Sequence, residues 1–491
     1  MLRKIRIILA ALCFCGITLL FLDFTGATHA FLGWLAKIQL LPAILSADFV
    51  VIAVLLVLTL VFGRVYCSVI CPLGMMQDII AWAGRRGKKK NRFKYSYSKP
   101  KTWLRVTMLV IMVASIVFGI SAVTALLAPY SAYGRIASSF FAPLYALVNN
   151  LFATLAERAG SYAFYPTEVW GKATAVVLVA AVTLVALAIL AWRNGRTYCN
   201  TICPVGTLLG FLSRFSLLKP VIDTDKCINC RLCEKSCKAA CIDISKHKID
   251  RSRCVACMDC ISNCPHGAIS YKTERKAKAQ PAVDASRRAF VATAGVLVAT
   301  AAQAKVRKEN TLVGQVTPKN NPAPQVRLTP PGSQGHKNLE SKCIGCQLCV
   351  QACPNNVLRP STSLEHFLQP EMIYNEGYCR SECNRCGSVC PTGAIRPISL
   401  EEKASTQIGH AVWHHWLCVP VANGDSCGNC ARHCPAGAIT MIDGESMEGK
   451  AVKLPAVDSA KCIGCGACQS VCPTRPVSAI QVEGHEVHKV I

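Results

Sequence analysis

The sequence predicts an α-helical membrane domain of four spans, followed by small α+β domains rich in cysteine. Long apolar runs recur in the N-terminal half, and 31 cysteines are present, most of them in regular groups in the C-terminal half. Hydrophobic residues make up 52% of the chain although its formal net charge is +26. That combination is typical of an integral membrane protein with a basic cytoplasmic side. The basic residues form no soluble nucleic-acid recognition motif, so nucleic acid is not an expected partner.

Four apolar runs are long enough, or nearly so, to cross a bilayer, for which roughly 20 residues are needed. They lie near residues 5–22, 48–63, 104–127 and 172–192. The stretch 31–46 contains Lys37 and Pro42, and we expect it to be interfacial or re-entrant.

Basic residues fix the expected orientation. Arg3, Lys4 and Arg6 precede the first span, and a dense group of lysines and arginines lies between residues 85 and 105. By the positive-inside rule, the N-terminus, this loop and the segment after residue 192 face the cytoplasm.

One motif occurs twice, each time at the end of a predicted span. GRVYCSVICPLG covers 63–74, and GRTYCNTICPVG covers 195–206. The repeat predicts that residues 1–215 are a duplicated helical hairpin. In a helix, Cys67 and Cys71 share one face, as do Cys199 and Cys203. The four thiols either line tight turns, or converge on a soft metal or an additional cluster; the sequence leaves both open.

Another 24 cysteines form six groups of four. The spacing C-x2-C-x2-C-x3-C is typical of [4Fe–4S] ferredoxins of the bacterial type, in which the fourth cysteine binds the neighbouring cluster. We therefore expect six [4Fe–4S] clusters, two in a cytoplasmic domain at 216–275 and four in a domain at 336–491. The groups of the second domain are Cys343, Cys346, Cys349, Cys353; Cys379, Cys383, Cys386, Cys390; Cys418, Cys427, Cys430, Cys434; and Cys462, Cys465, Cys468, Cys472.

The ferredoxin spacing also predicts how the first two groups combine. One cluster is expected on Cys227, Cys230, Cys233 and Cys264, and the other on Cys254, Cys257, Cys260 and Cys237. Lys238 stands where proline usually follows the fourth cysteine, and Cys241 is expected to be a spare thiol. Cys13 and Cys15 are expected to be packing residues. In the four-cluster domain, either neighbouring groups pair, or the first pairs with the fourth around a central pair.

Between the two cysteine-rich blocks lies SRRAFVATAGVLVATAAQAK, residues 286–305. Arg287 and Arg288, the short apolar run and the final Ala-Gln-Ala are typical of a twin-arginine export signal. Clusters are inserted in the cytoplasm, so a cluster domain bound for the outside should cross the membrane folded. A proline-rich linker, 306–335, is then expected to space the four-cluster domain from the membrane.

With these motifs in place, residues 1–275 resemble the NapH family of membrane ferredoxins. The segment from 286 onward is similar to the NapG family of exported four-cluster ferredoxins. The resemblance implies a quinol dehydrogenase module of the inner membrane. It would take electrons from the quinol pool, expected to be menaquinol, and pass them to a periplasmic reductase or electron carrier. Clusters 1–2 would face the cytoplasm and clusters 3–6 the periplasm.

Quinol oxidation also needs a base near the membrane surface, and Asp23, His29 and Asp48 are the candidates. No haem or flavin is expected, since the membrane half has one histidine and the chain lacks C-x-x-C-H and a convincing G-x-G-x-x-G. A competing hypothesis is an assembly or metal-reduction factor, because FixG-like proteins share the membrane half. They lack the exported four-cluster half. Nothing in the sequence clearly bridges the hydrocarbon between the two sets of clusters.

Overall fold

A computed structural model of the chain describes residues 2–23, 26–86, 95–161, 164–167, 172–273 and 318–491. Its first half is helical. The helices are α1 Leu2–Leu22, α2 Ala27–Leu32, α3 Trp34–Lys37, α4 Leu40–Leu45, α5 Phe49–Phe62, α6 Val65–Val69, α7 Pro72–Arg86, α8 Thr102–Val117, α9 Ser121–Leu127, α10 Pro129–Ile136, α11 Ala142–Arg158, α12 Thr174–Asn194, α13 Thr197–Thr201 and α14 Pro204–Leu212. A π-helical turn, Ala137–Phe141, joins α10 and α11 into one long rod. A short 3-10 turn, Ser213–Phe215, follows α14.

Three helices of the described residues are long and apolar enough to cross a membrane: Leu2–Leu22, Pro129–Arg158 and Thr174–Asn194. The first and third coincide with predicted spans. The other two predicted spans are shorter apolar helices, Phe49–Phe62 and Thr102–Val117. The rod 129–158 was not predicted as a span, and the four-span count is therefore only partly supported.

The predicted run 104–127 is interrupted, which corrects the prediction of one continuous helix. Gly119, at φ +70°, reverses the chain between α8 and α9, because glycine adopts left-handed backbone angles without steric cost. Ser115 and Thr124 then lie side by side, with their hydroxyl oxygens 2.9 Å apart. The stretch 31–46 consists of the short helices α3 and α4 rather than one span.

The second half combines short helices with two-stranded antiparallel sheets. Its helices are α15 Leu232–Ser236, α16 Asp259–Ser262, α17 His336–Lys342, α18 Leu348–Ala352, α19 Arg385–Ser388, α20 Leu400–Ala404, α21 Val419–Asn423, α22 Asn429–Arg432 and α23 Ala467–Val471. Its strands are β1 Leu218–Ile222, β2 Ile242–Asp243, β3 Lys248–Ile249, β4 Ile269–Thr273, β5 Leu358–Pro360, β6 Pro370–Met372, β7 Thr406–Trp413, β8 Ile439–Glu445, β9 Ala451–Val457 and β10 Ile480–Val490. Two further 3-10 turns are Ile244–Lys246 and His415–Leu417. The strands pair as β1–β4, β2–β3, β5–β6, β7–β10 and β8–β9.

The two cysteine-rich domains contact opposite ends of α1. At its start, Arg3 Nε donates to Asp259 Oδ1 at 2.8 Å, in the domain of β1–β4. At its end, Phe21 packs against Tyr130 of α10, with ring centroids 5.8 Å apart, and α1 also contacts α18 of the four-cluster domain. Residues 3 and 21 are separated along the helix axis by about 27 Å, at 1.5 Å per residue.

Residues 318–335 do not form an extended spacer, which corrects that part of the predicted linker. Lys319 Nζ donates to the carbonyl oxygen of Gln469 at 2.5 Å, and Leu328 and Thr329 are buried. Its backbone also bonds to the rest of the domain, from the Met372 amide to the Leu328 carbonyl at 2.9 Å and from the Gly484 amide to the Val326 carbonyl at 3.1 Å. Residues 306–317 and the twin-arginine segment 286–305 lie outside the described residues.

Candidate iron–sulfur sites

The structure brings the cysteines of the first domain together in the two predicted sets. Quartet 1 is Cys227, Cys230, Cys233 and Cys264, and these residues line one apolar cavity. Quartet 2 is Cys237, Cys254, Cys257 and Cys260. Burial raises the pKa of the Cys257 thiol to about 12, and the neighbouring Cys237 and Cys254 thiols contribute. α15 and α16 pack together and carry Cys233 and Cys260 towards each other.

Two features that depart from the ferredoxin pattern lie beside quartet 2. Cys241, expected to be spare, places its Sγ 3.5 Å from Cys237 Sγ, and it also interacts with Cys254. Lys238, in the usual proline position, donates from Nζ to Asp78 Oδ2 at 2.7 Å. A lysine at this position therefore ties the first cluster domain to α7.

In the four-cluster domain, neighbouring groups exchange their fourth cysteine. Quartet 3 is Cys343, Cys346, Cys349 and Cys390: burial raises the pKa of Cys346, and the Cys390 and Cys343 thiols beside it raise it further. Quartet 4 is Cys353, Cys379, Cys383 and Cys386. The pKa of Cys386 is raised by burial and then by Cys379, Cys353 and Cys383.

The last two groups pair in the same way. Quartet 5 is Cys418, Cys427, Cys430 and Cys472: burial raises the pKa of Cys418, with further contributions from Cys427 and Cys472. Quartet 6 is Cys434, Cys462, Cys465 and Cys468. Burial raises the pKa of Cys465 to about 12, aided by Cys462 and Cys434. Of the two pairings that the sequence left open, the geometry is that of neighbouring groups.

The order of the quartets in space differs from their order in the chain. Quartet 4 adjoins quartet 6, because the Cys379 amide donates to the Cys465 carbonyl at 3.0 Å. Tyr374 fills the space between these quartets, and its hydroxyl donates to the Gly464 carbonyl at 2.7 Å. α18 and α19 join quartets 3 and 4, and α22 and α23 join quartets 5 and 6. The spatial series is therefore 3, 4, 6, 5.

The residues around these thiols fit [4Fe–4S] clusters. Backbone amides donate to cysteine sulfur at Gly345 to Cys343 (3.4 Å) and Ala438 to Cys434 (3.3 Å). Hydrogen bonds to the sulfurs stabilise the anionic form of a bound cluster and tune its potential. Among the described residues, no three His, Cys, Asp or Glu side chains are grouped tightly enough to hold a single metal ion.

The repeated motif forms a paired structure that links α5–α7 to α12–α14. Arg64 of the first copy donates to Asn200 Oδ1 at 2.9 Å and to the Cys199 carbonyl at 3.2 Å, both in the second copy. Arg196 of the second copy donates to the Cys67 carbonyl at 2.6 Å. Each copy thus supplies an arginine to the other, and the two copies form one buried unit.

The glycines that are identical in the two copies of the motif have the same structural roles. Gly63 and Gly195 have φ angles of +66° and +69° and turn the chain out of α5 and α12. At Gly206, a Cβ would collide with the Cys199 carbonyl and lie 2.8 Å from Arg64 Nη2. Gly74 meets the Cys67 carbonyl and Arg196 in the same way. Only glycine at these two positions leaves room for each arginine to reach the cysteine carbonyl of the other copy.

Asp78 of α7 is the carboxylate at the centre of this unit. It accepts from Arg196 Nε and Lys238 Nζ, both at 2.7 Å, and from Arg6 Nη1 at 3.3 Å. Burial alone would raise the pKa of Asp78, but the charges of Arg196 and Lys238 outweigh it and hold this pKa well below its usual range. Three cations therefore share one buried carboxylate.

The three quinol-site candidates lie in different structural settings. Asp48 caps α5 by accepting from the Val51 amide at 3.2 Å. Asp23 accepts from the amides of Gly26 and His29 at 2.8 and 3.0 Å. Both ring nitrogens of His29 are buried, and the imidazole interacts with the Leu20 backbone. Burial lowers the pKa of His29, and Asp23 partly opposes this.

Family comparisons agree with this arrangement. A model described as a 4Fe-4S binding domain matches 49–91 and 174–222, each containing one copy of the repeated motif. A 4Fe-4S dicluster domain matches 342–394 and 425–475, and further 4Fe-4S binding domains match 247–270 and 224–240. The chain therefore contains several ferredoxin domains.

Similar proteins include the methylamine utilization ferredoxin-type protein MauM of Methylobacillus flagellatus, 32% identical over 177 residues, which are 33% of this chain and 70% of that protein. The chain belongs to the MauM-type family of ferredoxin-type proteins. The ferredoxin-type protein NapG of Escherichia coli is 31% identical over 30% of this chain and 66% of its own length. NapF of the same organism is 26% identical over 32% of the chain and 87% of its own length.

This MauM-type chain is thus an iron–sulfur electron-transfer protein, and the matched relatives cover about a third of it. The comparison names no relative of the NapH type. No solved structure matches the chain.

Several residues of the paired motif were missed by sequence reasoning. Arg64 and Arg196 were visible only as part of the repeat, and Asp78 as an isolated acid in an apolar helix. A charged residue that recurs at the same position of an apolar repeat could have indicated a buried polar contact between the copies, because a buried charge needs a partner.

Proposed function

We propose that this chain is a quinol-oxidising electron-transfer protein of the inner membrane, with menaquinol as the expected donor. Its acceptor would be a reductase or electron carrier on the periplasmic side. The observation that carries the proposal is the placement of quartets 1–2 and quartets 3–6 against opposite ends of α1. When bound, [4Fe–4S] clusters supply one-electron transfer.

The charge distribution supports the orientation. Arg3 and Arg6 lie at the end of α1 that contacts quartets 1 and 2, and basic residues prefer the cytoplasmic face. Quartets 3–6 would then be periplasmic. Export of residues from 286 onward by the twin-arginine route agrees with this arrangement.

The four-cluster domain is seated directly on the helices. Ser131 Oγ of α10 donates to the Gly345 carbonyl at 3.2 Å, beside quartet 3. Ser138 Oγ donates to Gln347 Oε1 at 2.8 Å, and Lys172 Nζ donates to the same oxygen at 3.0 Å. Such contacts hold quartet 3 next to the membrane, and the series 3, 4, 6, 5 then leads away towards an acceptor.

His29 is the best of the three candidates for contact with quinol. Asp23 and Asp48 are occupied with backbone amides, whereas the imidazole of His29 interacts with the Leu20 backbone and keeps its second ring nitrogen for quinol. A neutral imidazole can accept one quinol proton. Asp23 accepts a hydrogen bond from the His29 amide and so orients this helix end.

The test is reduction of the purified full-length protein by a menaquinol analogue under anaerobic conditions, followed by EPR. Quinol should reduce at least one cluster, and His29→Gln should slow this reduction at least tenfold while dithionite reduces both proteins equally. Asp48→Asn is the matched control. If quinol reduces no cluster in a protein with all clusters assembled, the proposal is wrong and the assembly-factor hypothesis gains.

A further inference from the structure

The repeated motif contains four thiols that the ferredoxin domains do not use. Cys67, Cys71, Cys199 and Cys203 are each 5% exposed, and none forms a disulfide. Burial raises the pKa of Cys71 to about 12, and the Cys199 and Cys67 thiols beside it contribute. Cys203 is surrounded by the other three. Two thiols from each repeat therefore share one buried space.

The four thiols of the repeated motif receive hydrogen bonds like those received by the cysteines of the ferredoxin quartets. The Gly206 amide donates to Cys203 Sγ at 3.4 Å, the distance found between Gly345 and Cys343. Gln77 Nε2 donates to Cys199 Sγ at 3.3 Å, and Arg64 Nη2 lies 3.8 Å from Cys67 Sγ. Donors of this kind would stabilise the cysteine sulfurs as thiolates when a cluster is bound.

Two buried arginines lie beside the thiols, and one of them has no carboxylate partner. Arg64 and Arg196 are fully buried, and Arg196 pairs with Asp78. The hydrogen-bond acceptors of Arg64 are all neutral, and none of the described carboxylates lies within ion-pair distance of it. Arg64 Nε and Arg196 Nη2 are buried without partners. A buried cation without a counter-charge is strongly unfavourable, so this space fits an anionic group.

A [4Fe–4S] cluster with four thiolates supplies about two negative charges. Four thiolates are also the ligand set of one such cluster, and its negative charge would face Arg64, whose hydrogen-bond acceptors are all neutral.

The four thiols also lie between quartet 2 and quartet 3. On one side, the Arg196 amide donates to the Lys238 carbonyl at 2.8 Å, and Asn200 Nδ2 donates to the Ala239 carbonyl at 3.1 Å, next to Cys237. On the other side, Tyr198 interacts with Cys203, Cys199 and Arg135 of α10. Gly134 precedes Arg135 in α10. It lies so close to the Cys346 carbonyl of quartet 3 that a Cβ would collide with this carbonyl.

We propose that Cys67, Cys71, Cys199 and Cys203 ligate a seventh iron–sulfur cluster that is shared by the two repeats and connects quartet 2 to quartet 3. One electron enters from one of these two quartets and leaves towards the other. The centre is reduced once and reoxidised once for each electron, and no proton or atom is transferred. The site itself does not depend on quinol as the donor.

The test is iron and sulfide analysis of the anaerobically purified full-length protein and of Cys67→Ser/Cys199→Ser. Iron should fall from about 28 to about 24 per chain, with an equal loss of sulfide, and one dithionite-reducible EPR centre should disappear. Cys13→Ser/Cys15→Ser, which removes two free thiols from α1, should change neither value. Unchanged iron, or loss of copper or zinc with iron unchanged, would overturn the proposal.

A second variant keeps the inference testable if the cysteine variant does not accumulate. Arg64→Gln removes a cation beside the centre, so one cluster should become harder to reduce while the other midpoint potentials stay the same. Arg214→Gln, which removes an arginine that lies at the exposed end of α14 over Phe211, is the control. Identical potentials in all centres of Arg64→Gln would contradict the proposal. Dithionite reduction separates this result from a failure of quinol oxidation.

Discussion

At the scale of single residues, the paired motif depends on two glycines that leave room for two arginines. Gly74 and Gly206 follow the second cysteine of each copy, where a Cβ would meet a cysteine carbonyl and the arginine of the other copy. Hydrogen bonds between the two copies hold these carbonyls and guanidinium groups in place, so moving either group away would break a hydrogen bond. Packing here tolerates no additional methyl group.

Gly206→Ala should therefore destabilise the helical domain by about 1–3 kcal/mol, as is usual for overpacking. The measurement is the thermal midpoint of the detergent-solubilised protein. Glu157→Ala is the control, because Glu157 is exposed in α11. Equal midpoints for the two variants would show that the motif can expand.

At the scale of secondary-structure elements, α7 joins the helices to the first cluster domain through one side chain. Asp78 lies between Arg196, which follows α12, and Lys238, which lies beside quartet 2. Removing the carboxylate would leave Arg196 buried without a counter-charge, while Lys238 would keep only Asp259 at 3.4 Å. The cost is that of breaking a buried ion pair, which exceeds that of a surface pair.

Asp78→Asn should lower the free energy of unfolding by about 3–5 kcal/mol and release the contact between α7 and α15. Denaturant unfolding followed by loss of cluster absorbance measures this change. Asp458→Asn is the control, since Asp458 pairs with Lys461 at the surface, and we expect its unfolding midpoint to match the wild type. A wild-type midpoint for Asp78→Asn would contradict the role of this carboxylate.

The sheet β7–β10 has a pH-sensitive end. Burial lowers the pKa of His488 to about 4, with contributions from His336 and His485, and its Nε2 lies 2.9 Å from Thr329 Oγ1. The unfolded chain binds a proton near pH 6.5, whereas the folded chain does so only near pH 4. This contribution to stability is therefore complete above about pH 6.5 and is lost as the pH falls towards 4.

Hydrogen exchange in β10 should consequently speed up between pH 7.5 and 5.5, after correction for the intrinsic exchange rate. The loss of local stability should not exceed about 3 kcal/mol over the whole range. His488→Gln should remove the pH dependence, while β8–β9 should serve as an internal reference in both proteins. A β10 whose exchange in the wild type follows that of β8–β9 would argue against a neutral, buried His488.

At the scale of the whole molecule, α10 is the element by which the four-cluster domain meets the helices. Gly134 allows the Cys346 carbonyl to approach, while Ser131 and Ser138 on the same rod bond to the loop of quartet 3. The distance between quartet 3 and the paired motif is therefore set by one short helix.

Gly134→Val should push the four-cluster domain away from α10. Rapid-mixing reduction by quinol should then show electron transfer between quartets 3–6 and quartets 1 and 2 slowed at least tenfold, while the set nearer the donor is reduced at the wild-type rate. Leu147→Ala alters the exposed side of the same rod and should behave as the wild type. Uniform slowing of all clusters in Gly134→Val would point instead to a damaged donor site.

The sequence was informative where chemistry dictates spacing. Cysteine positions predicted which thiols of quartets 1 and 2 lie together, because three ligands come from one tight loop. The sequence did not predict which cysteine groups share ligands in quartets 3–6. The loops between the groups differ in length and would allow either neighbouring groups, or the first and fourth groups, to pair. The proline-rich segment 318–335 was predicted to be a spacer, because composition alone does not show that a segment packs against a neighbouring domain. The rod 129–158 escaped prediction because serine, tyrosine and Arg135 interrupt its apolar character.

The position of the two cysteine-rich domains at opposite ends of α1 has an energetic consequence for the cell. In the orientation that we propose, an electron that travels from one end to the other would move through the transmembrane voltage, which changes its free energy by about 2.3 kcal/mol for every 100 mV. Because the electron is negatively charged, a negative-inside potential would favour its transfer from the cytoplasmic to the periplasmic end. Respiration through this protein would thus draw on the membrane potential, and an uncoupler would slow electron delivery without altering any residue.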